Sequence, residues 1–554
     1  MTEILADLFR AVPSGQIDKV CYLLQGRVAP LYEPIEFGIA DKLMIKAIAK
    51  AYEVDSSVVA KAFKELGDMG LAAEAIAQRT KEQKRDSMDS LSITHVFDVL
   101  KKIAQTGGGG SQEEKIHLLS SLLSEAGGSS ARFIARIPLG KMRLGFSDMT
   151  ILDAFSWMIT GDKIHRATLE AAFDVRPDLG YIGQRVKEQG IAGVSHVNAI
   201  VGAPILSALC QRLPNAVEMI EKMGEVDVEP KYDGVRTQIH YTKSNIQTYS
   251  RNLENTTAMY PELDHIAGQI QAESVILDSE AVGYDPKSDR YIPFQETMTR
   301  KRKHDIESAR ASMPLRFFVF DILNINGRDV MNEPLSKRRQ ILEKTIKKGE
   351  ILVISPHIVT SDVETLREYH RVQISKGLEG AVIKKWDSPY VPGRRAFNWV
   401  KFKEEGRVGK LTDTVDCVVM GYYEGEGKRT GFGIGAFLVG VKKGDTYVTT
   451  TKIGTGVSDE QWKTLRTLFH KHGSKEKPKE FVDVNKALIP DFWVEPSVVV
   501  EIAADDITVS PNHGAKFALR FPRLVRVRED KAPDNATNVE ELKRMYHNQS
   551  QMKQ

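Results

Sequence analysis

The chain has 554 residues, 42% of them hydrophobic and 27% charged, which suits three or four globular domains and leaves no biased tract. No apolar run reaches membrane-spanning length, MTEILADLFR lacks the basic-then-apolar order of a signal peptide, and Cys21, Cys210 and Cys417 are too scattered for a disulfide framework or zinc site. A soluble intracellular protein is expected, and with a net charge of +3 only local basic patches could serve a polyanionic partner.

Residues 1 to about 205 read as helical, with apolar residues at helical spacing in ITHVFDVLKKIA and EEKIHLLSSLLSEA. The break TGGGGS at 106–111 lacks the Gly-Lys-Ser/Thr of a phosphate loop and reads as a helix–helix connector. A basic patch follows in RFIARIPLGKMRLGF, with Arg132, Arg136, Lys141 and Arg143. Gly140 and Gly145 flank Lys141 and Arg143, so the backbone can approach phosphates just before the N-terminus of another helix.

From about 212 to 405 short β runs alternate with helices: SVILDSEAV, LRFFVFDIL, GAVIKKW and NWVKFK as strands, LSKRRQILEKTIKK as a helix. In EPKYDGVR (229–236) period-two runs stand on both sides of an Asp-Gly turn, which places Lys231 at the mouth of a sheet. A hairpin with an exposed lysine is the plain alternative. Lys-x-Asp-Gly arises by chance in roughly one chain in seven of this length, so the string alone decides nothing. On SVILDSEAV, Asp278 and Glu280 share a face; on NWVKFK, Lys401 and Lys403 share a face with Trp399, opposite Val400 and Phe402. A second basic run spans Arg300, Lys301, Arg302 and Lys303.

Beyond about 410 the runs VDCVVMGYY, GAFLVGV, YVTTTKI and SVVVEIAA predict a small closed β domain of five or so strands, and NVEELKRMY a last helix. The loop EGEGKRTGFG (424–433) could touch DNA or be a plain surface hairpin. The third patch is RFPRLVRVREDK, where Arg526 and Arg528 alternate with Val525 and Val527 as one cationic strand face. A solvated charged face is the plain reading of any one patch.

Paired acids and paired cations near a lysine suit phosphoryl or nucleotidyl transfer: cations neutralise phosphates, and acids hold Mg²⁺ or a sugar hydroxyl. A free lysine titrates near ~10.4, so its neutral amine at pH 7 costs roughly 4 to 5 kcal/mol. Mg²⁺, Lys401 and Lys403 nearby are expected to destabilise the ammonium and so favour the nucleophile.

In this order, EPKYDGVR, YSRNLE (249–254), LDSEAV (277–282), FFVFDIL (317–323), GLEGAVIKK (377–385), WVKFK (399–403) and RFPRLVRVREDK (520–531) resemble the sequence blocks of the ATP-dependent DNA ligases, in the covalent nucleotidyltransferase superfamily. The likeness covers about 90 to 535, and RIPLGKMRLGFSD resembles the DNA-binding domain of the archaeal and eukaryotic replicative type. It implies a multidomain chain: an all-α DNA-binding domain (1–207), an α+β nucleotidyltransferase domain (208–407), and an OB-fold β-barrel with a C-terminal helix (408–554). It implies that Lys231 attacks the α-phosphate of ATP and carries AMP, with Glu229 helping to read the adenine and Phe320 stacking on it. Arg236 and Arg251 would contact the nucleotide and then the nick phosphate. Glu280 would hold the ribose hydroxyl or a metal, Glu379 a metal, and Lys384, Lys401 and Lys403 the α-phosphate. Arg520, Arg523, Arg526 and Lys531 would orient the leaving pyrophosphate, while Arg136, Lys141 and Arg143 grip DNA phosphates without reading sequence.

The same resemblance implies Mg²⁺, or Mn²⁺ in its place, and nicked duplex DNA as partner of a cytoplasmic or nucleoid-associated monomer acting in DNA replication, repair and recombination. A sliding clamp stays open, since the termini lack a glutamine-then-aromatic-pair pattern. Two departures stand out: Ser279 where the family often has glycine, and Pro230 before the nucleophile, which removes one donor beside the adenine site. The rivals are an RNA ligase or capping guanylyltransferase, against which the large helical part argues, and a non-catalytic scaffold. Against the scaffold stands the joint presence of Lys231, Glu280, Glu379, Lys401 and Lys403. For NAD in place of ATP no extra N-terminal segment is seen.

Overall fold

The helical spacing is realised in α1 (Thr2–Ala11), α2 (Ile17–Leu24), α3 (Asp41–Ala51), α4 (Ser56–Leu66), α5 (Met69–Lys84), α6 (Ile93–Gln105), α7 (Ser111–Glu125), α8 (Gly128–Arg136), α9 (Asp148–Thr160), α10 (Arg166–Val175) and α11 (Leu179–Gln189). Side-chain caps start several of them: Asp55, Ser92 and Asp178 accept from the N–H groups of Ser57, His95 and Tyr181. TGGGGS is the turn between α6 and α7, as expected. One apolar core gathers around Met44, Leu100, Leu119 and Ile134, another around Phe9, Leu152, Phe155 and Ile182. The structure is a computed structural model describing all residues except 85–90, 214, 286–289, 293–313, 394, 403–413, 426–430, 456 and 552–554. The run Arg300–Lys303, Lys403 and part of the loop 424–433 therefore lie outside the described residues.

The middle region runs β1 (Leu209–Arg212), α12 (Ala216–Met223), β2 (Val226–Pro230), β3 (Val235–Thr242), β4 (Asn245–Ser250), β5 (Ser274–Asp285), β6 (Arg290–Ile292), β7 (Leu315–Ile325), β8 (Arg328–Asp329), α13 (Leu335–Thr345), β9 (Leu352–Ile354), β10 (Ile358–Thr360), α14 (Val363–Ser375), β11 (Ala381–Lys385) and β12 (Arg395–Phe402). Two sheets result. Sheet I has the order β1-β12-β11-β2-β10; sheet II has β4-β3-β5-β7-β8, with β6 on β5 and β9 on β7. In sheet I, Val226, Val228, Ile383, Val400 and Phe402 pack with Met219 and Leu366 of α12 and α14. In sheet II, Ile239, Leu277, Phe317 and Val319 pack with Leu342 of α13. Each such side chain contributes about 1.5–3 kcal/mol by leaving water, and that burial dictates which face the alternating polar residues take. Those second faces meet each other: the rings of Phe320 (sheet II) and Trp399 (sheet I) lie 5.9 Å apart, edge to face.

EPKYDGVR is not a hairpin. β2 pairs with β10 and β11, β3 with β4 and β5, so the Lys-Tyr-Asp-Gly stretch carries the chain from one sheet to the other. Packing gives two compact units, residues 1–403 and 404–554, so the helical and two-sheet regions form one body.

The second unit holds β13 (Val415–Tyr423), β14 (Ala436–Lys443), β15 (Thr446–Ile453), α15 (Asp459–Lys471), β16 (Gly473–Ser474), β17 (Phe481–Val482), β18 (Phe492–Val494), β19 (Val499–Ala503), β20 (Asp506–Val509), β21 (Phe517–Arg520), β22 (Arg523–Val527) and α16 (Val539–Gln551). β13 pairs with β14 along one edge and is shared along the other by β18 and β19, which bends the sheet around Phe437, Val439 and the α15 residues Trp462 and Phe469. On β22 the strict alternation fails. Glu501 faces Arg526 but Ile502 faces Leu524, so Val525 is the extra residue of a bulge and stands exposed while Leu524 turns inward.

Candidate active site

Lys231 follows β2 directly, and its peptide is held on both sides. Its N–H donates to the Gly380 carbonyl (2.9 Å), and its own carbonyl accepts from the Glu379 N–H (3.2 Å). Gly380 has φ +127°, and a Cβ there would come within 2.3 Å of the Phe402 carbonyl oxygen, so only glycine lets this loop close on the lysine. Tyr232 stacks on Phe318 at 4.1 Å and anchors the crossover to sheet II. At Gly234 a Cβ would meet the Ala281 carbonyl oxygen at 2.5 Å, so the small residue lets the chain enter sheet II beside β5.

The Lys231 ammonium lies 2.5 Å from Glu379. Burial pushes its titration down, but Glu379, backed by Glu280 and Asp233, outweighs burial and raises it above the ordinary lysine range. The charges that dominate at Lys231 are acids, and Lys384 is engaged elsewhere; the expected lowering rests on Mg²⁺, Lys401 and Lys403 together, of which Lys403 lies outside the described residues. Lys384 is buried, donating to Glu229 Oε2 (2.8 Å) and the Phe320 carbonyl (3.1 Å). Lys401 lies opposite Val382, on the face of β12 away from the Val400 and Phe402 core.

Asp278 and Glu280 share a face of β5, as their spacing predicts, but their environments differ. Asp278 is fully buried and takes two hydrogen bonds from Arg236, Nε at 3.0 Å and Nη2 at 2.6 Å. Glu280 is half-buried opposite Arg236; burial pushes its carboxyl up to about 7, against the pull of Arg236 and Lys231. Arg251 is exposed just after Ser250, which pairs with Thr237, so it lies at the same sheet end as Arg236. Phe320 is nearly buried beside Trp399, with the Lys384 ammonium 4.7 Å from its ring centre.

A buried charge network beneath the site was not foreseen. Arg339 donates to Glu229 Oε1 (3.1 Å) and to the Ser355 carbonyl, while Asp227 is hydrogen-bonded to His357. Arg338 forks onto Asp321 at 2.8 and 2.9 Å, and neither side chain reaches water. The signal was in α13: Arg338 and Arg339 fall between Leu335 and Leu342 on its core-facing stripe.

In the second unit, Arg523 pairs with Asp505 (2.7 Å), Arg526 with Glu501 (2.7 Å), and Lys531 with Asp416 (2.6 Å); the Arg520 guanidinium lies 5.6 Å from the Phe521 ring. Of the helical-region cations, Lys141 and Arg143 are exposed on the loop between α8 and α9. Arg136 is buried, its Nε 3.1 Å from Asp68 and its Nη1 donating to the Met142 carbonyl. Expected to grip DNA, it instead braces the loop that presents the other two.

Among the described residues no group of three or more His, Cys, Asp and Glu side chains could hold a metal. Glu280 and Glu379, both acting on Lys231, do fit the way Mg²⁺ binds, through one or two carboxylates together with substrate phosphates.

Three family models match the chain: DNA ligase N terminus over residues 1–156, ATP dependent DNA ligase domain over 207–403, and ATP dependent DNA ligase C terminal region over 430–531. A probable DNA ligase of Dictyoglomus turgidum is 41% identical over 100% of this chain and 95% of its own. DNA ligase 2 of Thermofilum pendens is 38% identical over 99% and 94%, and DNA ligase 1 of Methanosarcina barkeri 37% identical over 97% and 99%.

Proposed function

The chain belongs to the ATP-dependent DNA ligases, whose general activity is the sealing of nicks in DNA, and within that activity we propose that Lys231 is the group that carries AMP. The observation that carries this reading is Lys231 at the crossing between the two sheets, its ammonium paired with Glu379 and under the charge of Glu280.

Three in-line displacements follow. The Lys231 amine, having lost its proton, bonds to the α-phosphorus of ATP as the bond to pyrophosphate breaks. A 5′-phosphate oxygen at the nick then attacks the same phosphorus and releases the lysine. The neighbouring 3′-hydroxyl finally attacks the 5′-phosphorus, loses its proton and expels AMP. Glu280 and Glu379 would hold Mg²⁺, which would supply neutralisation of the phosphate charge. Lys401 and Lys403 neutralise the α-phosphate, and Arg236 and Arg251 take the nucleotide and then the nick phosphate. Phe320 and Glu229 shape the adenine end. Lys384 serves by holding Glu229 in place.

The bent sheet of the second unit supports an OB-fold reading, with Arg523, Arg526 and Lys531 exchanging their acidic partners for the leaving pyrophosphate and Arg520 joining them. Lys141 and Arg143 contact DNA phosphates. A duplex with one 5′-labelled nick tests the reading: sealing should require ATP, a divalent cation and Lys231. Full sealing by Lys231→Arg would overturn it.

A further inference from the structure

Three alternate residues on one face of β3 each hold the same passing segment. His240 Nδ1 accepts from the Gly202 N–H (3.0 Å). The Gln238 amide pairs with Ile205 both ways, accepting from its N–H (2.8 Å) and donating to its carbonyl (3.1 Å). Arg236 Nη1 donates to the Ala208 carbonyl (2.6 Å). The side chains repeat every second residue, while the points they hold are three residues apart, so the segment runs antiparallel to β3 at about 2.2 Å per residue, more contracted than a strand and attached by side chains rather than by a backbone ladder.

Both ends of this segment are anchored in other parts of the unit. Upstream, the Ala199 carbonyl accepts from Asn324 of β7 (3.1 Å), and the Leu206 N–H donates to the carbonyl of Asp174 in α10 (2.9 Å). Downstream, the chain becomes β1 and pairs with β12 in sheet I, Arg212 opposite Lys401. The Ala208 N–H donates to the Tyr390 hydroxyl (2.9 Å), which donates to Asp278 Oδ2 (2.8 Å), the carboxylate that also orients Arg236. The segment thus touches the helical region, both sheets and the guanidinium of Arg236.

We infer that residues 199–208 are a strap through which the helical region sets the place of Arg236, and that Gln238 and His240 are positioning residues for it. This rests on the reading of Arg236 as a phosphate ligand. Asp278 and the Ala208 carbonyl take three of its five N–H groups, and the Tyr390 hydroxyl lies 3.4 Å from Nη2. With the carboxylate fixing the plane and the strap carbonyl fixing one Nη1–H, the other Nη1–H has a set direction for a phosphate oxygen. Loosening the strap frees that direction without removing the charge.

The test is lysyl-AMP formation from α-labelled ATP, measured across ATP concentrations in the full chain, in Gln238→Leu, in Arg236→Lys and in the double variant, with the Tm of each. Gln238→Leu should raise the ATP KM about tenfold, the coupling of groups in one hydrogen-bond network, with the maximal rate within about twofold. The double variant should be no worse than Arg236→Lys alone. KM effects that multiply, or a lowered Tm with unchanged KM, would overturn the inference. Should Gln238→Leu fail to fold, His240→Gln takes its place, and the same dependence on Arg236 is required. A parent protein that takes no label would sink the ligase reading itself, a different failure from an unlinked Gln238.

Discussion

The charges between the two sheets of the first unit and those along β22 of the second are both paired, but to different ends. Arg338 and Asp321 are wholly out of water, and Arg339, Glu229 and Lys384 nearly so. Arg526, by contrast, is 61% exposed beside Glu501. Taking a charge out of water costs several kcal/mol unless its partner and hydrogen bonds are all in place. The buried set is therefore committed to its geometry and serves as the rigid floor of the cleft. The β22 pairs are held by little, and their cations can exchange a carboxylate for a phosphate.

Removing single charges should break or sharpen this contrast. The largest effect is expected for Arg338→Ala, which strands Asp321 in the interior and should lower the stability of the first unit by about 3–5 kcal/mol in urea unfolding. A loss as small as that of a surface pair would erase the difference between the regions. His240 tests the same interior by pH. Burial pushes its ring down to about 3, against 6.5 ordinarily, so the folded state holds it neutral while the unfolded chain binds a proton. Its contribution is complete above pH 6.5 and is lost as pH falls toward 3, at up to about 1.4 kcal/mol per pH unit. A stability–pH series should show that slope in the parent and a shallower one in His240→Asn. Smallest is Arg526→Ala, which should change stability by less than about 1 kcal/mol and yet slow lysyl-AMP formation.

The face carrying Asp278 and Glu280 could be read from sequence because β5 keeps its alternation against β3 across this whole stretch. The same logic failed on β22, where one bulged residue turned Val525 outward and Leu524 inward. In EPKYDGVR the same logic puts Lys231 at the mouth of a sheet and leaves a hairpin as the plain alternative; the hairpin is the reading that fails, because β2 pairs with β11 and not with β3, placing Glu229 opposite Val382. The blocks from EPKYDGVR to WVKFK located the lysine and its acids, since these bear the chemistry directly. Arg338, Arg339, Gln238 and His240 were missed because their partners, Asp321, Glu229, Ile205 and Gly202, become neighbours only once the sheets and strap are assembled.

The central claim is that Lys231 carries AMP, and covalent labelling tests it most directly. The protein, freed of any bound AMP, is incubated with α-labelled ATP and Mg²⁺ beside Lys231→Ala and run on a denaturing gel. The account predicts a labelled band in the parent that pyrophosphate reverses, that nicked duplex DNA discharges, and that the variant lacks. Equal labelling of Lys231→Ala would contradict it.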